Sequence, residues 1–194
     1  QHEESLREPD GWKKPCKIFV CSMGDLFHVE VKRDFIDKIM EVIERNPRHT
    51  FQILTKRPSN MASYFKNREI PENCWIGTSV EDRSALIRAV ELVNIDHAKK
   101  FISFEPLLGE IFDTDYKAGL CLDGIKWMIV GGESGYGARE CEKKWVESLK
   151  WYADKLSIPF FFKQWGTWYE KKYKVMYHYN LLNGERFMEF PKEG

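Results

Sequence analysis

The chain has 194 residues, of which 43% are hydrophobic and 31% charged, a balance that excludes a disordered polymer and fits a folded globular chain. Thirty basic side chains oppose thirty acidic ones, so bulk charge gives no reason to bind polyanions, although a local basic patch stays open. No apolar run reaches the ~18–20 residues of a membrane span, and no signal peptide opens the sequence.

Ile18–Cys21 is the first of six short apolar runs. A helix is predicted next, over Lys32–Asn46, because Phe35, Ile36, Ile39, Met40 and Ile43 share one face and Asn46-Pro47 supplies a stop. The second run is Phe51–Leu54, and Pro58 opens a short helix through Arg68. After Trp75–Thr78, Asp82 is placed to cap a helix carrying Leu86, Ile87, Val90 and Val93. Phe101–Phe104 is followed by a poorer interval, Pro106–Lys126, read as a loop with a short irregular helix. Trp127–Val130 leads to a helix striped by Trp145, Val146, Leu149, Tyr152, Ala153 and Leu156, and Phe160–Phe162 closes the series.

The starts of the six runs are 33, 24, 26, 26 and 33 residues apart, and each is continuous in apolar character, as strands buried on both faces are. Strand, helix, strand at this interval is the βαβ unit. The expected fold is α/β: residues 1–166 as a TIM-like partial (β/α) barrel with parallel strands, and 167–194 as an aromatic β appendage with a hairpin at Asn183-Gly184. An open doubly wound sheet is the rival arrangement, but the glycine-rich nucleotide turn after the first strand is missing; Ser22-Met23-Gly24-Asp25 stands there.

In parallel α/β folds chemistry gathers at the carboxyl ends of strands. Here those ends carry Ser22 and Asp25 with His28 beyond, Lys56 and Arg57, Ser79 and Glu81, Ser103 and Glu105, Gly131-Gly132-Glu133 with Arg139 following, and Lys163-Gln164-Trp165. Glu105 follows a buried run and needs a cation, a ligand or a raised pKa. Glu133 follows two glycines, whose bare backbone admits a ligand. Asp25 with His28 is a candidate acid–base pair. The opposite ends carry ordinary turn residues such as Pro15, Asn73 and Pro159. The expected catalytic set is Asp25, Lys56, Glu105, Glu133 and Lys163. Arg57, Glu81, Arg139 and Gln164 are expected to bind substrate.

The five cysteines are an odd number and contain no C-x-x-C pair, which argues against a disulfide framework or a cysteine-only metal site and for a reducing, cytoplasmic setting. The histidines show no metal-ligand spacing, so no metal ligand is assigned.

The strings Ile18–His28, Phe51–Pro58, Trp75–Asp82, Ser103–Gly109, Trp127–Gly135, Phe161–Gly166 and Asn183–Pro191 resemble, in order and over nearly the whole chain, an uncharacterised phage and bacterial family, the phage gene-product thirty-seven/sixty-eight family. That family is regarded as radical-SAM-like. The resemblance implies a three-cysteine motif near the amino terminus, a [4Fe–4S] cluster held by its thiolates, and S-adenosylmethionine beside it. The motif should lie upstream of Trp12 and is not in this sequence; Cys16 and Cys21 do not reproduce it, and the start at Gln1 points to a fragment lacking that segment. Gly131-Gly132-Glu133 is similar to the element that holds the amino group of S-adenosylmethionine; with the strand-end serines Ser22 and Ser79, Gly131, Gly132 and Glu133 are the expected cofactor contacts. Two further readings stay open. One is a nucleic-acid-binding module using Lys56, Arg57, Arg139, Lys163 and exposed aromatics such as Trp165 and Trp168. The other, a phage structural component, fits least well with a polar rim.

Overall fold

The computed structural model describes residues 3–20, 24–112, 119–176 and 179–192. Strands β1 (Lys17–Val20), β2 (Thr50–Thr55), β3 (Cys74–Ser79), β4 (Lys100–Phe104), β5 (Ile125–Gly131) and β6 (Phe160–Gln164) form one sheet. All neighbours are parallel and the spatial order is the chain order, β1 to β6. A doubly wound sheet needs a reversal of strand order, and none occurs here. Right-handed crossovers that always advance the same way put their helices on one face. The sheet therefore curls into a half-barrel, as the spacing of the runs predicts.

The helices are α1 (Glu8–Gly11), α2 (Arg33–Arg45), α3 (Pro58–Phe65), α4 (Leu86–Val93), α5 (Gly119–Leu122), α6 (Lys143–Leu156) and α7 (Thr167–Tyr173). α2 buries the predicted face, Phe35, Ile36, Ile39, Met40 and Ile43, and Val42 besides. Asp82 caps, as expected, but its Oδ1 accepts from Ser84 N–H at the head of a 3-10 turn (Arg83–Ala85) that runs into α4. On the convex side Ile53, Ile76, Ile102, Phe104, Met128, Val130, Phe160 and Phe162 join Ile43, Met61, Leu92, Val146 and Leu149 in one core. Each fully buried side chain of this kind contributes roughly 1.5–3 kcal/mol.

Four expectations about burial are corrected. Ile87 is 61% exposed because Leu86, Ala89 and Leu92 form the inner face of α4, and Leu156 at the end of α6 is 41% exposed. Trp165, expected on the surface, is 2% exposed: its indole packs on Phe162 and Tyr169 and its Nε1–H donates to Leu181 O at 2.9 Å. β1 is not buried on both faces; it is an edge strand, and Phe19 on its concave side is 43% exposed.

The tail is more than a β appendage. It begins with α7, then forms the hairpin of β7 (Leu181–Leu182) and β8 (Glu185–Arg186). Asn183 and Gly184 both take positive φ, 54° and 84°, as a two-residue hairpin turn of the primed type requires. The chain then runs antiparallel along β6: Phe162 N–H donates to Phe187 O (2.8 Å) and Glu189 N–H to Phe160 O (3.1 Å). This covers the sheet edge that β6 leaves unpaired.

Asn73, read as an ordinary turn residue, ties the amino end of the barrel. Its side-chain amide lies within 3.1 Å of the carbonyls of Ile43, Asn46 and His49, at the end of α2 and the start of β2.

Candidate functional site at the carboxyl rim

The register fixes which side chains point into the hollow. Ser79 of β3 lies beside Ser103 of β4, Ser103 beside Ile129 of β5, and Ile129 beside Phe161 of β6. Two residues further along each strand, the same inward row delivers Glu81 and Glu105. The loop from β4 laces the rim together: Leu108 N–H donates to Glu81 O (2.8 Å) and Leu107 N–H to Gly131 O (2.9 Å). The Glu105–Pro106 peptide is cis.

Every predicted rim acid has a basic partner. Glu105 Oε1 is 3.1 Å from Lys163 Nζ, and its Oε2 accepts from Ser103 Oγ at 3.2 Å. Lys163 is thus the cation that a carboxylate at the end of a buried strand needs. Glu81 is largely buried and paired on both sides, with Lys56 and with Arg88 (2.8 Å). Burial pushes its carboxyl up, but the Lys56 and Arg88 charges outweigh this and hold it below the usual range. Glu133 takes a forked pair from Arg139, Nη2 to Oε1 at 2.7 Å and Nε to Oε2 at 2.9 Å, plus the Arg139 N–H at 2.8 Å. These bonds bring its pKa down to about 2.

Asp25 makes four contacts. Its Oδ1 accepts from Thr55 Oγ1 (2.7 Å) and Phe27 N–H (3.0 Å), and its Oδ2 from Lys56 N–H (3.0 Å) and Arg57 Nη1 (2.8 Å). Partial burial raises its pKa, but the bonds from Thr55, Lys56, Phe27 and Arg57 prevail and the net shift is downward. Asp25 and His28 do not form a side-chain pair; His28 Nδ1 accepts from Glu30 N–H instead. Asp25 therefore binds the loop after β1 to the end of β2 with all four acceptor positions filled. Ser22 lies outside the described residues.

The two glycines have packing reasons. A Cβ on Gly132 would stand 2.0 Å from the Trp165 carbonyl oxygen, and one on Gly131 would stand 2.7 Å from Glu105 Oε1. Gly132 N–H donates to Gln164 O (2.9 Å), and the Gln164 amide reaches Gly132 O and Ser134 Oγ.

What these elements enclose is a pocket of about 280 Å³, lined by Lys56, Glu81, Asp82, Arg88 and Arg139 over Pro106 and Leu108. Lys56, Glu81 and Arg139, predicted from three different strand ends, share it. Glu133 reaches it only through Arg139, and Glu105 and Lys163 form their own pair alongside. Asp82, Ser84 and Arg88 were not singled out as site residues; Arg88, in the first turn of α4, reaches back seven residues to Glu81 and is signalled only by its charge.

The family model described as "Protein of unknown function (DUF5131)" matches residues 1–191. The chain belongs to this family. No curated protein and no solved structure matches it. Membership in the family carries no activity with it, so the rim's chemistry rests on its own geometry.

Among the described residues no three His, Cys, Asp or Glu side chains come together to hold a metal ion. Cys74, Cys121 and Cys141 are buried, and burial pushes the Cys74 and Cys141 thiols up to about 12, far from the thiolate form a cluster needs. Cys16 Sγ lies 3.2 Å from Lys14 O. The described cysteines do not fit a [4Fe–4S] cluster. No helix among the described residues is long and apolar enough to cross a membrane.

Proposed function

We propose that this chain is the ligand-binding half-barrel of a radical-SAM-like enzyme, and that its rim pocket takes the amino-acid end of S-adenosylmethionine next to a small-molecule substrate. The observation that supports this is the pocket's mixed lining: Lys56 and Arg139 suit a carboxylate, while Glu81 and Asp82 suit an ammonium group, within about 280 Å³. S-adenosylmethionine, when bound, supplies a reactive sulfonium and an adenosyl group. The chain's own residues bind and orient. Lys56 and Arg88 keep Glu81 ionised, and Glu133 fixes Arg139 at the pocket edge. The cluster thiolates of such an enzyme lie outside the described residues.

The rim does not favour a nucleic-acid track, since Arg57, Lys56, Arg139 and Lys163 are each bonded to a carboxylate and Trp165 is buried. Calorimetric titration tests the reading. S-adenosylmethionine and S-adenosylhomocysteine should bind, adenosine should not displace them, and Glu81→Gln or Arg139→Ala should weaken binding by ~10-fold or more. Displacement of both by adenosine, or unchanged affinity in both variants, overturns it.

A further inference from the structure

Away from the rim, the hollow holds a second chamber. Gly77 aligns with Phe101 across the β3–β4 pair, and Phe101 with Trp127 across the β4–β5 pair. Phe101 is fully buried although it is not part of the convex core. A Cβ on Gly77 would lie 2.6 Å from the Phe101 ring, so Gly77 is what lets that ring lean across the hollow. Trp127 lies 6.0 Å from Phe101 and 6.0 Å from Phe161, and Phe190 of the tail closes on both Trp127 (5.4 Å) and Phe161 (5.2 Å). These rings form a continuous aromatic band.

At the amino ends of the strands this band walls a cavity of about 570 Å³, with Trp75, Trp127 and Phe190 in its lining. That volume lies within the ~300–1,000 Å³ of small-molecule sites. The lining carries Lys17, Arg48, Lys99 and Lys192 against Glu44 and Glu72, four cations against two anions in a chain of zero net charge. These cations differ from those of the rim. Lys99 donates to the Glu72 carbonyl, which leaves its charge uncancelled, and Arg48 donates to the carbonyls of Trp12 and Asp10 with the Asp10 carboxylate nearby. Lys17 Nζ sits 4.4 Å over the Phe190 ring. Among the described residues neither Lys17 nor Lys192 forms an ion pair.

We propose that this cavity binds a nucleoside 5′-phosphate. The base lies on the Trp75–Trp127–Phe190 wall, where Gln52 offers a donor and an acceptor to its edge, and the phosphate faces Lys17 and Lys192. A bare anion would leave the aromatic wall wet, and an apolar ligand would leave the uncancelled charge without a partner. The site is independent of the rim pocket and of the function proposed for it.

Calorimetric titration of the whole chain with adenosine 5′-monophosphate is the test. One molecule should bind per chain, more weakly as salt rises. Adenosine and inorganic phosphate should each bind at least ~10-fold more weakly, and so should adenosine monophosphate to the Lys17→Glu/Lys192→Glu double variant, whose changes are on exposed side chains. The rim variant Arg139→Ala should bind as the parent does. The proposal is overturned if adenosine monophosphate gives no binding, if inorganic phosphate binds as well as the nucleotide, if Arg139→Ala abolishes the signal, or if only a single-stranded oligonucleotide binds.

Discussion

Asp25→Asn isolates the knot that holds the loop after β1 to the end of β2. Each carboxylate oxygen of Asp25 faces two donors. An amide in its place turns one oxygen into a donor, so two of the four bonds are lost whichever way it is oriented. Hydrogen bonds to a charged group are worth ~1.5–3 kcal/mol each. The Arg57 bond is discounted, because that side chain is 35% exposed and its charge is partly screened. The expected loss is about 3 kcal/mol. With a denaturant slope near 2 kcal/mol per molar, the urea midpoint falls by about 1.5 M. The pH dependence follows from the same contacts. The Asp25 pKa is lower in the folded chain than its ordinary 3.8, so its contribution is complete above the unfolded value and disappears as pH falls through the folded one. Urea unfolding of parent and variant should show a gap that is constant from about pH 7 to pH 5 and narrows below the ordinary value. A gap under about 1 kcal/mol, or one that widens on acidification, refutes the assignment of Asp25 as a structural knot.

Two further substitutions separate packing from site geometry. Gly132→Ala sets a methyl against the Trp165 backbone carbonyl, which cannot rotate away, and should destabilise by roughly 3 kcal/mol in thermal or urea unfolding. Gly131→Ala meets only the Glu105 carboxylate, a movable side chain, so it should cost less than ~1.5 kcal/mol while displacing Glu105 from Lys163. Equal losses for the two would contradict this account. Asn73→Ala removes an amide shared among three carbonyls and should cost about 2–3 kcal/mol, with faster amide hydrogen exchange at the end of α2 than at the carboxyl rim.

The strands were legible because a strand in a parallel sheet needs several consecutive apolar residues, a pattern that survives without knowing its neighbours. The cap at Asp82 and the turn at Asn183-Gly184 were legible for a similar reason, since each depends on residues close in sequence. Contacts between distant residues were not. Asp25 gives no sign that Thr55 and Arg57, about thirty residues away in the chain, close on its carboxylate. Asn73 looks like a turn filler until three carbonyls from α2 and β2 converge on it. Trp165 sits between polar Gln164 and Gly166 and reads as surface, but the return of the tail provides both its apolar cover and the Leu181 carbonyl it needs. The list of rim carboxylates could be read from the strand ends; the pairing of each with a particular cation could not.

The position of Glu105 is set by two features acting together, a hollow-facing Lys163 and a bare Gly131. Pairing between β5 and β6 shifts after Val130: Val130 aligns with Phe162, and Gly131 with Gln164. Lys163 is therefore an extra residue on β6, and its side chain keeps the hollow-facing side that alternation from Phe161 gives it. It reaches Glu105, while Gln164 turns the other way to Gly132 and Ser134. Gly131, lacking a side chain, leaves the space that the Glu105 carboxylate fills. Alternation along β6 aims Lys163 into the hollow toward Glu105, and any larger residue at 131 would take the carboxylate's place. An acid at the end of a buried strand is costly, and here Lys163 gives it a partner while Gly131 leaves it a place close to the hollow. An arrangement needed only for folding could have put an apolar residue at 105, which is why this pair, and not the fully bonded Asp25, is the part of the rim where binding is best sought after the pocket itself.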